Sequence, residues 1–160
     1  MLVSVPWTCV PLRALRGRLL LLVLGLCLCL SGCALVGGYS ARAHEQLTGL
    51  KAAHLKLIDD QTEGPRERAW QADRLDQAAS ALDLRFREAI EFANSLDDPL
   101  RRANLGLLRQ VLAADLTYLR ERPRWLREPE AQLLREGTSL AYERAIRGEC
   151  AREGSACRAR

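Results

Sequence analysis

A repeat of apolar residues between positions 72 and 96 constrains the fold of this chain more than any other feature. The apolar residues recur at steps of three and four, the spacing that places side chains on one face of an α-helix. The repeat consists of Ala72, Leu75, Ala79, Leu82, Phe86, Ala89, Ala93 and Leu96. Its alanines allow a neighbouring helix to approach closely. The sequence therefore predicts a long amphipathic helix that begins at Pro65 and ends near Leu96.

Three further segments carry helical periods, and no alternating strand pattern follows residue 32. The stripe of the first is Leu47, Leu50, His54 and Leu57, with Ile58 alongside. The predicted helices cover residues 40–60, 65–96, 99–122 and 129–147, with Ser40 and Asp98 placed to cap the first and the third. Their short connections favour antiparallel neighbours. The predicted fold class is all-α, an antiparallel helical bundle of about four helices with an unusually long second helix. That helix would be about 48 Å long at 1.5 Å per residue, so it must kink, protrude or find a partner chain.

The third and fourth predicted helices differ in the width of their apolar faces. The third carries two adjacent stripes and is predicted to contact two neighbours; the stripes are Leu100, Leu107, Val111, Ala114 and Tyr118, and Leu105, Leu108, Leu112, Leu116 and Leu119. The fourth carries a weaker stripe of Leu133, Leu134, Gly137, Leu140, Ala141 and Ala145. Three polar residues interrupt the apolar faces. We interpret His54 as a hydrogen-bonded core or boundary residue, and Asn104 and Asp115 as boundary or register-setting residues.

The first 33 residues have the layout of an export signal. Arg13, Arg16 and Arg18 precede an uncharged apolar run at residues 19–30, and residues 1–18 contain no acid. The run is too short for the roughly 20 apolar residues of a membrane-spanning helix. It is closed by the tetrapeptide Leu-Ser-Gly-Cys at residues 30–33. This tetrapeptide resembles the lipobox of bacterial lipoproteins.

The resemblance implies a lipid anchor and a division of the chain. By resemblance, residues 1–32 are a cleaved signal peptide and Cys33 receives a diacylglyceryl group on its sulfur. A flexible tether at 33–39, a helical bundle at 40–148 and a polar tail at 149–160 would follow. Ala34 stands where an inner-membrane retention signal often has Asp, so the periplasmic face of the outer membrane is favoured over the inner membrane. The alternatives are an ordinary cleaved signal or a retained anchor with unmodified Cys33.

Export would leave two cysteines besides Cys33. Cys150 and Cys157 can meet across a turn that Gly154 helps to form, and an oxidising periplasm favours their pairing. A disulfide between them is predicted. Two free thiols, or a metal site completed by Glu149 or Glu153, are the alternatives.

The charge of the mature chain gives no support for nucleic-acid binding. Removal of the three signal arginines leaves 21 basic and 20 acidic residues, whereas nucleic-acid binding needs a clustered basic surface. No metal, phosphate-loop, nucleophile-elbow or haem-attachment motif is present in the sequence. We therefore predict no cofactor, no metal site and no enzymatic activity.

The connection between the third and fourth helices is the predicted partner-binding site. Two prolines bound it, and the arginines around Trp125 are Arg120, Arg122, Arg124 and Arg127. Arginine binds phosphate and carboxylate groups and stacks on aromatic rings. The alternative is a solvated loop whose Trp125 closes the end of the bundle.

Two classes of function stay open. The first is a structural, scaffolding or protein-interaction module with an envelope protein partner, in which a homo-oligomer is also possible. The second is a small-molecule or anion binder that uses a cavity between helices or the arginine loop.

Overall fold

The computed structural model describes residues 37–62 and 70–153. Within these ranges the chain contains no β-strand and forms an antiparallel bundle, so the predicted all-α fold class is confirmed. No helix in the described part is long and apolar enough to cross a bilayer. The elements are α1 (Ala41–Asp60), α2 (Ala72–Ser95), α3 (Pro99–Glu121), α4 (Glu128–Cys150) and a 3-10 turn (Ala151–Glu153).

The second helix is not unusually long, and that part of the prediction is wrong. α2 has 24 residues, against 20 in α1 and 23 each in α3 and α4. It begins at Ala72, because Trp70 and Gln71 are used to close the end of the bundle. Gln71 is extended, with φ −129° and ψ 114°. The Trp70 indole donates a 3.0 Å hydrogen bond from Nε1 to Oε1 of Gln61, at the end of α1. The predicted start at Pro65 lies outside the described residues.

Two of the helix starts follow the local signals in the sequence. The Ser40 hydroxyl accepts a hydrogen bond from the backbone N–H of Ala43 at 3.3 Å. The Asp98 carboxylate accepts one from the N–H of Arg101 at 2.9 Å, with Pro99 at the first helical position. Each side chain satisfies a backbone donor that the helix itself leaves unpaired.

The core lies between the four helices and is built mainly from the predicted stripes of α1, α2 and α3. His54 is buried among them, as predicted, but among the described residues neither ring nitrogen has the predicted hydrogen-bond partner. Phe86 of α2 is the largest apolar side chain of the stripes and is fully buried. The other buried stripe residues are Leu47, Leu50, Leu57, Ile58, Leu75, Ala79, Leu82, Ala89, Ala93, Leu105, Leu108, Leu112, Leu116 and Leu119.

The core face of α4 is more polar than the sequence pattern predicts. Its buried residues are Ala131, Thr138, Tyr142, Ala145 and Glu149. Of the predicted stripe only Ala145 is buried, and the rest is half-buried or exposed. Polar side chains can occupy this face because partners on other helices satisfy them. Leu133 and Leu140 of α4 are consequently left exposed on its outer side.

The antiparallel order gives the bundle two distinct ends. At the proximal end, residues 37–40 enter the bundle beside the end of α2, the start of α3 and the end of α4. At the distal end, residues 60–62 meet residues 70–72 and the α3–α4 connection at 122–127. The 23 residues of α3 set the distance between the two ends at about 34 Å.

Candidate interaction surface

An exposed apolar surface runs along one side of the pair α3 and α4. Leu107 of α3 is 61% exposed, and Leu133 and Leu140 of α4 are 71% and 47% exposed. Leu100 lies two helical turns before Leu107 on the same side of α3 and is 45% exposed. We call this surface the α3–α4 face; it comprises Leu100, Leu107, Val111, Ala114, Leu133, Gly137, Leu140 and Ala141.

A groove of about 260 Å³ follows the seam of this face. Among the neighbouring helices, α3 and α4 contact each other over the fewest residues. A groove therefore remains between them. A Cβ atom added at Gly137 would meet nothing within 4 Å. The groove is lined by Asn104, Leu107, Leu108, Val111, Ala141, Arg144 and Ala145.

Charge is nearly absent from the outer side of α3. Arg109 is the one charged residue exposed between positions 103 and 117, and it reaches sideways to Asp83 of α2, with Nη2 2.5 Å from Oδ1. The other exposed residues of this segment are Ala103, Leu107, Gln110, Ala113, Ala114 and Thr117. Arg144 is the only charged residue that lines the groove, and within the described ranges it forms no ion pair.

The predicted arginine site lies at the distal end, and its arginines have separate partners. The Arg120 guanidinium is 2.8 Å from the Asp76 carboxylate on α2. The Arg122 guanidinium stacks over the Tyr118 ring, 4.0 Å from the ring centroid. The structure therefore disperses these two side chains and does not join them in one site.

The remaining arginines of the loop are organised by Glu130, in the first turn of α4. Arg124 donates to both carboxylate oxygens of Glu130, at 2.7 and 2.9 Å. The backbone N–H of Arg127 donates to Oε2 of the same residue at 2.9 Å. The hydrogen bond from Arg124, followed by that from Arg127, lowers the pKa of Glu130 to about 2. An ionised carboxylate thus holds this loop at neutral pH.

Leu126 closes the distal end of the bundle. It is 1% exposed, and its backbone N–H donates to the Gln61 carbonyl at 2.8 Å. Trp125 is only half-buried. It lines a polar pocket of about 350 Å³ together with Asp60, Gln61, Gln71, Arg74, Gln77 and Ala78.

A buried polar cluster that the sequence did not reveal links α1, α3 and α4. His54 Nε2 lies 3.1 Å from Asp115 Oδ2, without the alignment of a hydrogen bond. Thr138 donates to the same Asp115 oxygen at 2.9 Å. The Tyr142 ring packs edge-on against His54 at 5.9 Å, and its buried hydroxyl has no hydrogen-bond partner. Burial, reinforced by the Asp115 charge, raises the pKa of Tyr142, so this hydroxyl stays protonated.

Two of the predicted modification residues fall outside the described ranges. Cys33 and Cys157 are both outside them, whereas Cys150 is the last residue of α4. Lipidation and the disulfide therefore stay predictions. Glu149, considered as an alternative metal ligand, is bound to Arg101 instead. Within residues 37–62 and 70–153, no group of three or more His, Cys, Asp or Glu residues could hold a metal ion.

Comparison with known proteins finds no match to this chain. No family model matches the chain, and no curated protein or solved structure is significantly similar to it.

Proposed function

We propose that this chain is a lipid-anchored protein on the periplasmic side of the bacterial cell envelope, with the outer membrane favoured, and that it acts as a scaffolding or protein-interaction module. Cys33 would carry the lipid. The α3–α4 face would bind a helix of an envelope protein partner.

The exposed leucines of the α3–α4 face carry this proposal. Contiguous apolar patches on a soluble domain mark interaction sites more often than isolated exposed leucines do. Removing a leucine side chain from water contributes roughly 1.5–3 kcal/mol. Leu107, Leu133 and Leu140 are therefore effective anchors for a partner. The small residues Gly137 and Ala141 beside them let the backbone of a partner helix come close.

The favoured occupant is an amphipathic helix with an acidic residue on its apolar face. A helix fits because the groove runs between two helices and lies beside Gly137, where no Cβ obstructs approach. Partner helices of this kind bind in apolar grooves through side chains at steps of three and four. The acidic residue follows from Arg144, the one charge in the groove lining.

Site-specific photocrosslinking in intact cells of the native host tests this proposal. A photoreactive residue replaces Leu107 in the full-length protein, and the same replacement at Leu84 serves as the control. Leu84 is 51% exposed and lies on α2. We expect a crosslinked envelope protein at position 107 and none at position 84. Its attachment peptide should show a helical apolar period with an Asp or Glu, and Arg144→Glu should abolish the crosslink.

Three results would overturn the proposed occupant. A peptide from the chain itself would identify a second copy, a phospholipid adduct would identify the bilayer, and equal labelling at positions 107 and 84 would mean that the face binds nothing specifically.

A second candidate function, the binding of a small anionic molecule, is favoured by the polar pocket beside Trp125. Arg74 supplies positive charge there, and the pocket glutamines supply hydrogen-bond donors. Native mass spectrometry of protein purified from its host tests this function. A retained small molecule that is lost in Arg74→Gln and kept in Arg85→Gln would support it. Its absence, together with unchanged tryptophan emission on titration with inorganic phosphate and phosphorylated sugars, would count against it.

A further inference from the structure

Four charged side chains are buried together at the proximal end of the bundle. We call Asp98, Arg101, Glu149 and Arg152 the proximal charge cluster. Asp98 and Glu149 are 1% and 2% exposed, and the side chains of Arg101 and Arg152 are similarly enclosed. The two acids and two bases balance in charge. A buried charge without a partner is strongly unfavourable, so such a group persists only when all its members are paired.

The four side chains form a closed set of ion pairs. Arg101 binds Glu149 through two parallel hydrogen bonds, Nε to Oε2 at 2.9 Å and Nη2 to Oε1 at 2.6 Å. Its Nη1 is 3.0 Å from Oδ2 of Asp98. Arg152 pairs with the same Asp98 oxygen and lies 3.6 Å from Glu149. The start of α3 is thereby joined to the end of α4.

The cluster also holds the chain that enters the bundle. Arg152 donates to the carbonyl of Gly37 at 3.1 Å, and Arg101 donates to that of Gly38 at 2.6 Å. The backbone N–H of Ser40 donates to Glu149 at 2.9 Å. These contacts join residues 63 to 115 positions apart. The last residues of the predicted tether are therefore fixed to the helix ends.

Close packing at Gly37 shows how tightly the entering chain is held. A Cβ atom at this position would lie 2.7 Å from Oδ2 of Asp98, which is less than van der Waals contact. Asp98 cannot move aside without losing its ion pairs to Arg101 and Arg152. The neighbouring Gly38 differs, because an added Cβ would meet nothing within 4 Å.

We infer that the proximal charge cluster makes the proximal end the membrane-facing surface of the domain and directs the distal end away from the bilayer. This inference rests on the proposed lipid anchor at Cys33. Four peptide units separate Cys33 from Gly37, so the chain between them can span at most about 14 Å. With Gly37 held by the cluster, the anchor would pull on the bundle end itself and not on a free linker.

The α3–α4 face lacks the charge pattern of a surface that binds a bilayer. Membrane-surface helices combine an apolar face with many Lys and Arg residues beside it. The α3–α4 face has Arg144 alone in its groove, and the outer side of α3 beside it is almost uncharged. The mature chain is also near-neutral, with 21 basic and 20 acidic residues. The held tether is thus the determinant of orientation.

The native tryptophans can report this orientation. After removal of residues 1–32, the chain keeps only Trp70 and Trp125, and both lie at the distal end. The lipidated full-length product is reconstituted in vesicles of phosphatidylethanolamine and phosphatidylglycerol that contain a dansyl-labelled headgroup lipid. Energy transfer from tryptophan to dansyl then measures the approach of the distal end to the bilayer.

We expect weak transfer in the wild type and in Gly38→Ala, and at least two-fold stronger transfer in Gly37→Ala. Arg152→Gln, which removes the hydrogen bond to Gly37 without adding bulk, should behave like Gly37→Ala. Circular dichroism confirms that each variant keeps its helices, and vesicle flotation confirms its anchor.

The outcomes separate this inference from the proposed function. Strong transfer in the wild type, or equal transfer in all four proteins that float, would overturn the orientation while leaving the anchor in place. Failure of the wild type to float would overturn the anchor and the orientation together.

Discussion

The Arg101 guanidinium binds both carboxylate oxygens of Glu149, at 2.6 and 2.9 Å, across 48 residues of sequence. A pair joined by two parallel hydrogen bonds stabilises the contact and also fixes the relative orientation of the two side chains. Since both side chains are almost fully buried, the pair joins α3 to α4 at a place where an unpaired charge would be costly. Hydrogen bonding to Glu149 outweighs the effect of burial and raises the pKa of Arg101, so the guanidinium stays charged.

Breaking this pair on one side should destabilise the bundle strongly. Arg101→Gln is expected to lower the free energy of unfolding by about 3–5 kcal/mol, because Glu149 loses its principal partner inside the protein. The double variant Arg101→Met with Glu149→Leu should lose clearly less than the sum of the two single changes. Urea denaturation measures each value. As a control, Glu143→Gln breaks the exposed pair with Lys51 and should cost less than about 1 kcal/mol.

The bundle should become less stable in acid because Asp98 becomes protonated. Burial alone would raise the pKa of Asp98, but hydrogen bonds from Arg152 and from the Arg101 N–H, with the charges of both arginines, bring it below its ordinary value of 3.8. A lowered pKa means that the contribution of Asp98 is fully present above pH 3.8 and is lost as the pH falls through the folded-state pKa. Thermal melts between pH 5 and pH 2 should show a steeper decline in the wild type than in Asp98→Asn. Parallel curves would show that Asp98 is not the group that titrates.

Replacement of Leu126 should lower the stability of the bundle more than replacement of Trp125, and replacement of Trp125 tests whether the loop binds a partner. Leu126→Ala is expected to cost about 2–5 kcal/mol, as truncation of a buried leucine does. Trp125→Ala should cost less, because that side chain is half-buried and lines a pocket. Changing Arg122, Arg124 and Arg127 together to Ser should alter the melting temperature little. A loss of partner or ligand capture in Trp125→Ala and in the triple variant would identify the arginine loop as a binding site, and full retention by both would eliminate it.

The predicted lipid anchor can be checked on Cys33. Wild-type protein should incorporate radioactive fatty acid and partition into the detergent phase, whereas Cys33→Ser should do neither. Two or more acyl chains contribute roughly 0.8 kcal/mol per buried CH₂, so the difference in partitioning should be nearly complete. Recovery of unlabelled wild type as a soluble periplasmic protein would contradict the prediction.

The predicted pairing of Cys150 with Cys157 concerns the end of the chain beside the proximal charge cluster. Closing a loop of about eight residues is worth roughly 2.5 kcal/mol by the chain-entropy estimate. Thiol titration of the oxidised, unfolded protein should find no thiol at either position. Two reactive thiols would rule the pairing out. Cys157→Ser should destabilise the turn that holds Arg152 more than it destabilises the distal end, which hydrogen exchange can resolve.

Local patterns in the sequence were sufficient for the fold class and for most of the core. The period of three and four in α1, α2 and α3 depends only on which side chains prefer to leave water, so it identified Leu50, Phe86 and Leu112 as core residues. Capping depends on neighbours within three residues, and the starts at Ser40 and Asp98 were accordingly correct. The predicted export signal and the lipobox-like position of Cys33 also rest on local features, and they stay predictions.

Tertiary contacts decided the features that depend on distant partners. Thr138 and Glu149 became core residues because Asp115 and Arg101 satisfy them, and no apolar pattern reports such a match. Contact of Trp70 with Gln61 set the start of α2. Glu130 and Asp76 form ion pairs with Arg124 and Arg120, for which the sequence shows no acidic residue four positions before them. The same polar core face of α4 left Leu133 and Leu140 exposed. The apolar surface proposed here for partner binding is thus a consequence of long-range packing, whereas the sequence by itself determined the helices and most of the apolar core, which depend on local preferences.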